Sequence, residues 1–261
     1  MTGVQGVLRT PPDDAWALHR FEPGPDLAPY AVWHWIVVWD LRGRRPHHQA
    51  TLPHPSPHLV VEDGGAWLYG PLRERFERTL AGTGRAVGLR FRPGGIRPLL
   101  RAQVSSIRDR RVPADVLPRL DARTLTEHVT AAADPEAAKD AMEAALIPLL
   151  PAAVDPAVAL ADRAVTLLAE DRSLTRVSDL AERLALSVRS VQRLFADQVG
   201  LGPSSVIRRY RLHEAAAHAT GGGDVDWARL AVTLGYYDQA HLVREFTATV
   251  GTAPARYAAG G

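Results

Sequence analysis

Arginine and glutamine side chains can each span the edge of a DNA base with two hydrogen bonds, and one short stretch of this chain carries three of them. They are Arg189, Gln192 and Arg193. The apolar residues between Val191 and Val199 recur at three- and four-residue steps, which predicts a helix with these three side chains outward. Such a helix has the form that enters a major groove. For one stretch alone, a solvated helical face is the alternative interpretation.

The same stretch belongs to a phrase that occurs twice. Phe-x3-Val-Gly-x2-Pro begins at Phe195 and again at Phe246, 51 residues later. A second phrase, Leu-Ala-x2-Leu, precedes each copy and begins at Leu180 and at Leu230, 50 residues apart. This duplication predicts two short helices joined by a tight turn, present twice. Two matched arginine-bearing helices on one rigid body favour DNA recognition over a plain helical bundle.

In the second copy, the buried helical steps leave four polar residues on the exposed face, among them Arg244, which coincides with Arg193 under the 51-residue shift. One helix over residues 206–220 is expected between the copies and would fix their spacing. The candidate DNA-binding residues are Ser187, Arg189, Ser190, Gln192, Arg193, Arg208, Arg209, Asp238, Gln239, His241 and Arg244.

The N-terminal part of the chain has the composition of β-strands. Aromatic and β-branched residues fill 31–40, and shorter runs follow at 59–62, 66–70 and 87–92, separated by turn-forming clusters at 53–57, 63–65, 82–84 and 93–95. In the last run Val87, Leu89 and Phe91 alternate with more polar residues, which predicts a half-buried strand. An antiparallel barrel or sandwich fits this spacing.

Alanine, leucine and paired charges dominate after residue 112. Asp134-Pro135 is a helix start, Pro148 or Pro151 ends that helix, and a further helix is expected at 155–170. We therefore expect an α+β fold with a β-barrel-like (cupin-like) domain at 1–111, a helical connector at 112–171 and an all-α domain with two helix-turn-helix units at 172–261.

Six aromatic residues of the N-terminal strands are candidates to line a pocket for an apolar or aromatic ligand. They are Trp33, Trp35, Trp39, Trp67, Tyr69 and Phe91. Ordinary core packing is the alternative for each of them.

Other chemistry has little support in the sequence. His47, His48, His54 and His58 form a histidine cluster, but they lack the His-x-His pair and spaced glutamate of a cupin metal site, and the interspersed prolines suggest an extended surface strand. We expect no metal site and no cofactor. A phosphate-binding Gly-x4-Gly-Lys motif and a Gly-x-Ser-x-Gly elbow are both missing from the sequence, so we expect no nucleotide hydrolysis and no acyl chemistry.

Composition sets broad limits. The net charge of +2 is only mildly basic, but Lys139 is the one lysine, so arginine, which suits bidentate contacts to phosphate and guanine, carries nearly all positive charge. GC-rich coding is the plainer explanation. The sequence has no cysteine, no apolar run of membrane-spanning length and no secretory signal pattern in residues 1–14, from which we expect a cytoplasmic protein without disulfides.

The C-terminal third resembles the AraC-type family of bacterial transcription regulators. The resemblance lies in the run from Leu230 to Phe246, which includes Gly235-Tyr236-Tyr237-Asp238-Gln239, and in the closing Gly251-x2-Pro254-x2-Tyr257. It covers about residues 173–257 and implies a domain of seven helices whose third and sixth read DNA. Carried over by position, Arg189, Gln192 and Arg193 would contact bases in the first unit and Gln239, His241 and Arg244 in the second. The family often has an aromatic residue at the position of Leu242 and a basic one near Glu245, which implies a weaker second reader.

The N-terminal part resembles the partner domain of a subset of such regulators, mostly from actinobacteria. Leu52-Pro53, Tyr69-Gly70-Pro71 and the run from Gly88 to Gly95 carry this resemblance. It implies a small β-barrel that binds an effector or dimerises. We therefore expect a transcription regulator that binds promoter or operator DNA under the control of a small-molecule effector, with RNA polymerase as a partner if it activates, and with a homodimer as an open alternative. The competing hypothesis is a metal-dependent sensor or enzyme in the barrel, with the helical domain as a docking module.

Overall fold

The computed structural model describes residues 7–9, 15–220 and 225–258. Most of residues 1–14, for which we expected no signal peptide, lie outside this range. None of the described helices combines the length and apolar character that crossing a bilayer requires.

Nine antiparallel strands build the N-terminal domain within the described residues. They are β1 (Val7–Arg9), β2 (Trp16–Phe21), β3 (Ala31–Asp40), β4 (His47–Thr51), β5 (His58–Glu62), β6 (Gly65–Tyr69), β7 (Phe76–Leu80), β8 (Thr83–Phe91) and β9 (Arg111–Pro113). One sheet has the order β2-β3-β8-β5-β6-β9, and a smaller one has the order β1-β4-β7. The expected barrel-like domain is thus a pair of antiparallel sheets, and no described ladder joins them into a closed barrel.

The large sheet is buried on both faces. Leu59, Leu68, Leu89 and Phe91 on one face pack in the main core together with helix residues such as Met142. The other face turns toward the small sheet. The expectation that β8 is half-buried was therefore wrong, because Ala86 to Phe91 are covered on both sides.

Two glycines of β8 make room for tryptophan rings on that second face. Gly84 pairs with Trp39, and Gly88 pairs with Trp35. A Cβ atom at Gly84 or Gly88 would overlap the ring opposite it, so each indole lies flat over bare backbone. These glycines inside a strand serve the close approach of a side chain rather than a turn.

Nine helices follow in the described residues: α1 (Ala122–Ala131), α2 (Pro135–Leu146), α3 (Pro156–Glu170), α4 (Val177–Arg183), α5 (Val188–Leu194), α6 (Pro203–Thr220), α7 (Trp227–Thr233), α8 (Gln239–Val250) and α9 (Pro254–Ala258). Asp134 caps α2 as predicted, with Pro135 in its first turn, and α2 ends before Pro148. α1 and α2 cover the large sheet. Ala161, Val165 and other residues of α3 instead pack in the core of the first helical unit. The domain boundaries at 111 and 171 stay predictions.

Candidate nucleic-acid interface and N-terminal cavity

The two helix pairs, α4 with α5 and α7 with α8, have the same turn. In each, a left-handed residue follows the first helix, Ala185 with φ of 52° and Gly235 with φ of 71°. The next backbone N–H then donates to the carbonyl of Ala181 or Ala231, at 2.9 Å in both units. Since the sequence shift and the backbone bonds agree, the predicted duplication is a duplication of structure.

The starts of α5 and α8 also match. Ser187 caps α5 by accepting a hydrogen bond from the Ser190 backbone N–H at 3.1 Å. Asp238, 51 residues later, caps α8 by accepting from the His241 backbone N–H at 2.7 Å. Both caps are predicted DNA contacts, and in the structure their side chains position the helix N-terminus. A helix N-terminus with free N–H groups favours a phosphate group near it.

In the first unit, the predicted reading face is exposed. Arg189, Gln192 and Arg193 are exposed, and Ser190 is half-buried. Val191 on the opposite side of α5 is fully buried. Within the described part of the chain, neither Arg189 nor Arg193 has a carboxylate at ion-pair distance. Two unpaired guanidinium groups therefore remain available to an outside partner.

The second unit presents a less basic face. Gln239 and Arg244 of α8 are exposed, and Arg244 has no ion pair among the described residues. His241 is held from two sides: its Nε2 lies 3.7 Å from Glu245 Oε1, and its ring stands edge-on to Tyr236 at 5.2 Å. Arg208 of α6 also lies 3.4 Å from Glu245. This carboxylate therefore reduces the positive charge near α8.

Tyr237 is a site residue that sequence reasoning missed. It is the extra residue in the turn of the second unit, which accounts for the change from a 50-residue to a 51-residue shift, and it is 90% exposed. It directly precedes Asp238, the cap of α8, which makes it a further candidate for the interface. The offset between the two phrases was the signal that could have singled it out.

The structure corrects the prediction for Arg209. Its side chain is only 4% exposed. Nη1 donates to the Pro53 carbonyl at 2.7 Å, and Nη2 donates to the carbonyls of Leu72, at 2.9 Å, and Arg73. All three acceptors belong to the N-terminal domain, so Arg209 joins the two domains and does not face DNA.

A cavity of about 230 Å³ lies between the two sheets of the N-terminal domain. Of the predicted residues, Trp33, Trp35, Trp39 and Tyr69 line it. The prediction was wrong for Phe91 and Trp67. Phe91 is fully buried on the opposite face of the large sheet, in the main core. Trp67 has the parity of Tyr69 but does not line the cavity, and the Arg111 guanidinium lies 3.6 Å from its ring centroid.

At one end of the cavity, the charged side chains are paired with one another. Glu62 is 4% exposed, and its Oε2 accepts a hydrogen bond from Arg78. Its Oε1 accepts from the Tyr69 hydroxyl and lies 3.4 Å from Arg111 Nη2. Burial, followed by the hydrogen bond to Glu62, raises the pKa of Tyr69. The phenol is therefore neutral and the carboxylate is fully paired.

The other end of the cavity holds Arg90 and two histidines. Arg90 is 8% exposed, and its guanidinium lies 4.7 Å from the Trp33 ring centroid. His58 Nδ1 accepts a hydrogen bond from Trp35 Nε1 at 3.0 Å. Burial, followed by the charge of Arg90, lowers the pKa of His58 to about 3 and that of His54 to about 2. Both histidines are neutral near pH 7.

The four histidines of the sequence cluster are separated by the fold. His47 and His48 lie on β4, His54 stacks on His213 of α6 at 4.8 Å, and His58 lies at the start of β5. In the described ranges no three or more His, Asp or Glu side chains converge as metal ligands do. The prolines between these histidines do not form a surface strand, because Pro55, Ser56 and Pro57 are buried.

Comparison with known protein families identifies the domain that contains the two helix pairs. A model described as a helix-turn-helix domain matches residues 180–260. The C-terminal domain is an AraC-type helix-turn-helix domain. Within the predicted domain at 172–261, the described residues form six α-helices, α4 to α9, with α5 second and α8 fifth. The seven helices that the resemblance implied, with α5 third and α8 sixth, require α3, which was expected in the connector but packs in the core of the first unit. The chain accordingly carries a DNA-binding domain of this type.

A second family model, a domain of unknown function named DUF6597, matches residues 19–113. No curated protein matches the chain. Among solved structures, the chain is similar to ToxT from Vibrio cholerae O395, at 12% identity over 94% of this chain and 98% of that one, with a TM-score of 0.42. It is also similar to the xylose-binding transcription activator XylR, at 17% identity over 43% of this chain, with a TM-score of 0.36. The matched part spans 29% of the XylR chain.

The AraC-type domain packs against the N-terminal domain through both of its units. Leu52, 1% exposed, lies in the core of the second unit with Leu212 and Leu242. At the first unit, Arg97 Nε donates to Asp197 Oδ1 at 2.9 Å. The relative placement of the two reading helices is therefore supported from outside the AraC-type domain as well as by α6.

Proposed function

We propose that this regulator reads operator DNA with α5 and α8 and that a small molecule in the N-terminal cavity controls the reading. In this proposal Arg189, Gln192, Arg193, Gln239, His241 and Arg244 contact bases, and Arg208, Tyr237 and the two caps contact the backbone. The protein acts in the cytoplasm and has no catalytic role. A homodimer and contact with RNA polymerase at activated promoters are part of the proposal and rest on the family resemblance alone.

Support for DNA reading comes from matched position and free charge. Arg193 and Arg244 occupy equivalent places in the two units, both are exposed, and neither is paired with an acid in the described residues. Two recognition helices about 34 Å apart can enter successive major-groove segments on one DNA face. We expect α6 to set this distance.

The observation that best supports effector control is the position of one segment, Leu52 to His54. All three residues line the cavity. The same segment touches the AraC-type domain: Leu52 joins its second core, the Pro53 carbonyl accepts from Arg209, and His54 stacks on His213. A ligand that moves this wall therefore changes contacts with α6, the helix between the two reading units. Ligand control requires such a difference in contacts between two states.

The test of DNA reading begins with operator selection from a random DNA library, followed by fluorescence anisotropy at fixed salt. Arg193→Ala and Arg244→Ala should each weaken operator binding by about 1–3 kcal/mol and weaken random DNA less. Arg123→Ala is the matched control, because Arg123 lies on α1 with 83% of its side chain exposed. Operator affinities equal to that of the control in both variants would refute the assignment.

Effector control has its own measurement. A thermal-shift screen of small molecules finds ligands, since one at 100 times its Kd stabilises the folded state by about 2.7 kcal/mol. A ligand bound in the cavity should change the operator Kd of the wild-type chain. If ligands bind in the cavity and leave the operator Kd unchanged, effector control is refuted and the N-terminal domain has a structural or dimerising role.

A further inference from the structure

Arg90 is a buried cation without an anionic partner. It lies on β8 between Trp33 and His58 of the neighbouring strands, all on the cavity face. Its Nε is buried and has no acceptor. Among the residues that the structure describes, no carboxylate lies within ion-pair distance of its guanidinium, and Asp162 and the Tyr210 hydroxyl act on it only from farther away. A buried charge of this kind is costly unless it is paired. The Trp33 ring offsets part of that cost but satisfies none of the five N–H donors.

The residues around Arg90 add unpaired polar atoms at the same end of the cavity. His54 Nε2 and Ser56 Oγ are buried and have no partner in the described chain. His58 accepts at Nδ1 from Trp35, so its neutral ring carries the proton on Nε2. Such exceptions call for an explanation, because buried polar groups are normally hydrogen-bonded. Donors gathered around a cation have the chemistry of an anion site.

The rest of the lining is mostly apolar, and its charged groups are mainly cationic. Three arginines, Arg20, Arg78 and Arg90, and one carboxylate, Glu62, line the cavity, and Glu62 is already paired with Arg78. Trp16, Trp33, Trp35, Trp39 and Phe76 supply aromatic walls. Burial lowers the pKa of Arg90 to about 10, so the guanidinium remains protonated near neutral pH.

Size limits the ligand further. Because one water occupies about 30 Å³ in the liquid, a volume of about 230 Å³ corresponds to roughly eight waters, which is enough for an aromatic ring with a short side arm. We propose that the cavity binds a small aromatic monocarboxylate, with its ring among the tryptophans and its carboxylate on Arg90. This inference deepens the proposed effector control and rests on it for its biological meaning.

Calorimetric titration of the full chain without DNA tests the ligand class. The probes are benzoate, phenylacetate and indole-3-acetate, each compared with its uncharged amide near neutral pH. We expect at least one acid to bind with a Kd below about 1 mM and about tenfold or more tighter than its amide, because the amide cannot make the charge-assisted bond. Arg90→Met should remove this preference, and the exposed control Arg123→Met should keep it.

The wild-type comparison of acid with amide needs no variant, and Arg90→Lys, which keeps the charge, should retain the preference if Arg90→Met fails to fold. Equal binding of acids and amides, no binding of any acid, or an acid preference that survives in folded Arg90→Met would overturn the inference. The two proposals fail separately. Acid binding that leaves operator affinity unchanged removes effector control only, whereas operator binding without acid binding removes the carboxylate site only.

Discussion

Replacement of Arg209 by methionine should uncouple the two domains. The change leaves the carbonyls of Pro53, Leu72 and Arg73 without their buried donor. Each buried carbonyl without a partner costs about 1–3 kcal/mol. Some of that cost is recovered by water and by removal of a buried charge, so we expect a loss of about 3 kcal/mol in the free energy of unfolding.

Urea unfolding with two probes measures this loss. Five of the six tryptophans lie in the N-terminal domain, so fluorescence follows that domain, and far-ultraviolet circular dichroism follows the helices. The wild type should show one shared transition, whereas in Arg209→Met the midpoint should fall and the two signals should separate. Arg208→Met is the control, because Arg208 is more than half exposed and a surface ion pair contributes at most about 1 kcal/mol. Equal effects of the two substitutions would refute the role of Arg209.

Three further substitutions test local features of the fold. Ala185→Gly should raise the free energy of unfolding by about 0.5–1 kcal/mol in urea titration, because glycine relieves the left-handed backbone; a lower stability would contradict this. Gly88→Ala should lower it by about 1–3 kcal/mol, since the new methyl group displaces the Trp35 ring, and unchanged stability and fluorescence would argue against that contact. Burial, and secondly nearby guanidinium charge, lowers the pKa of His213 to about 4. The unfolded chain therefore takes up the proton first, and stability that is full above about pH 6.5 should fall by about 2 kcal/mol near pH 5. His54 and His58, whose pKa values are also lowered, add to this fall. His213→Asn should therefore remove only its own share, about 2 kcal/mol, of the loss between pH 6.5 and pH 5, whereas the exposed control His218→Asn should leave the loss unchanged.

Local signals in the sequence predicted the local features of the fold. The helix start at Asp134-Pro135 and the bounds of β3 depend on neighbouring residues, and the structure has them where the sequence placed them. The three- and four-residue spacing of apolar residues also predicted which side of α5 is buried, because helical periodicity fixes that side.

Contacts between distant segments were not predictable from the sequence. Arg208 and Arg209 are adjacent in the sequence and share the same local sequence context. Arg209 is buried and Arg208 is exposed because only Arg209 reaches three carbonyls that lie more than 130 residues away in the chain. Strand parity likewise could not assign Phe91 to the core face, because the register of β8 against β3 was unknown. The burial of Pro55 to Pro57 also involves a distant strand, because the Phe91 backbone N–H of β8 donates to the Pro57 carbonyl at 3.1 Å.

We propose that two matched helices of one chain, α5 and α8, read one DNA site. Hydroxyl-radical and methylation-protection footprinting of the selected operator tests it most directly, on the wild type and on the Arg193→Ala and Arg244→Ala variants. We expect two protected major-groove segments about 10 base pairs apart, with each substitution weakening protection at one segment and leaving the other. A single protected segment, or loss of the same segment in both variants, would contradict it.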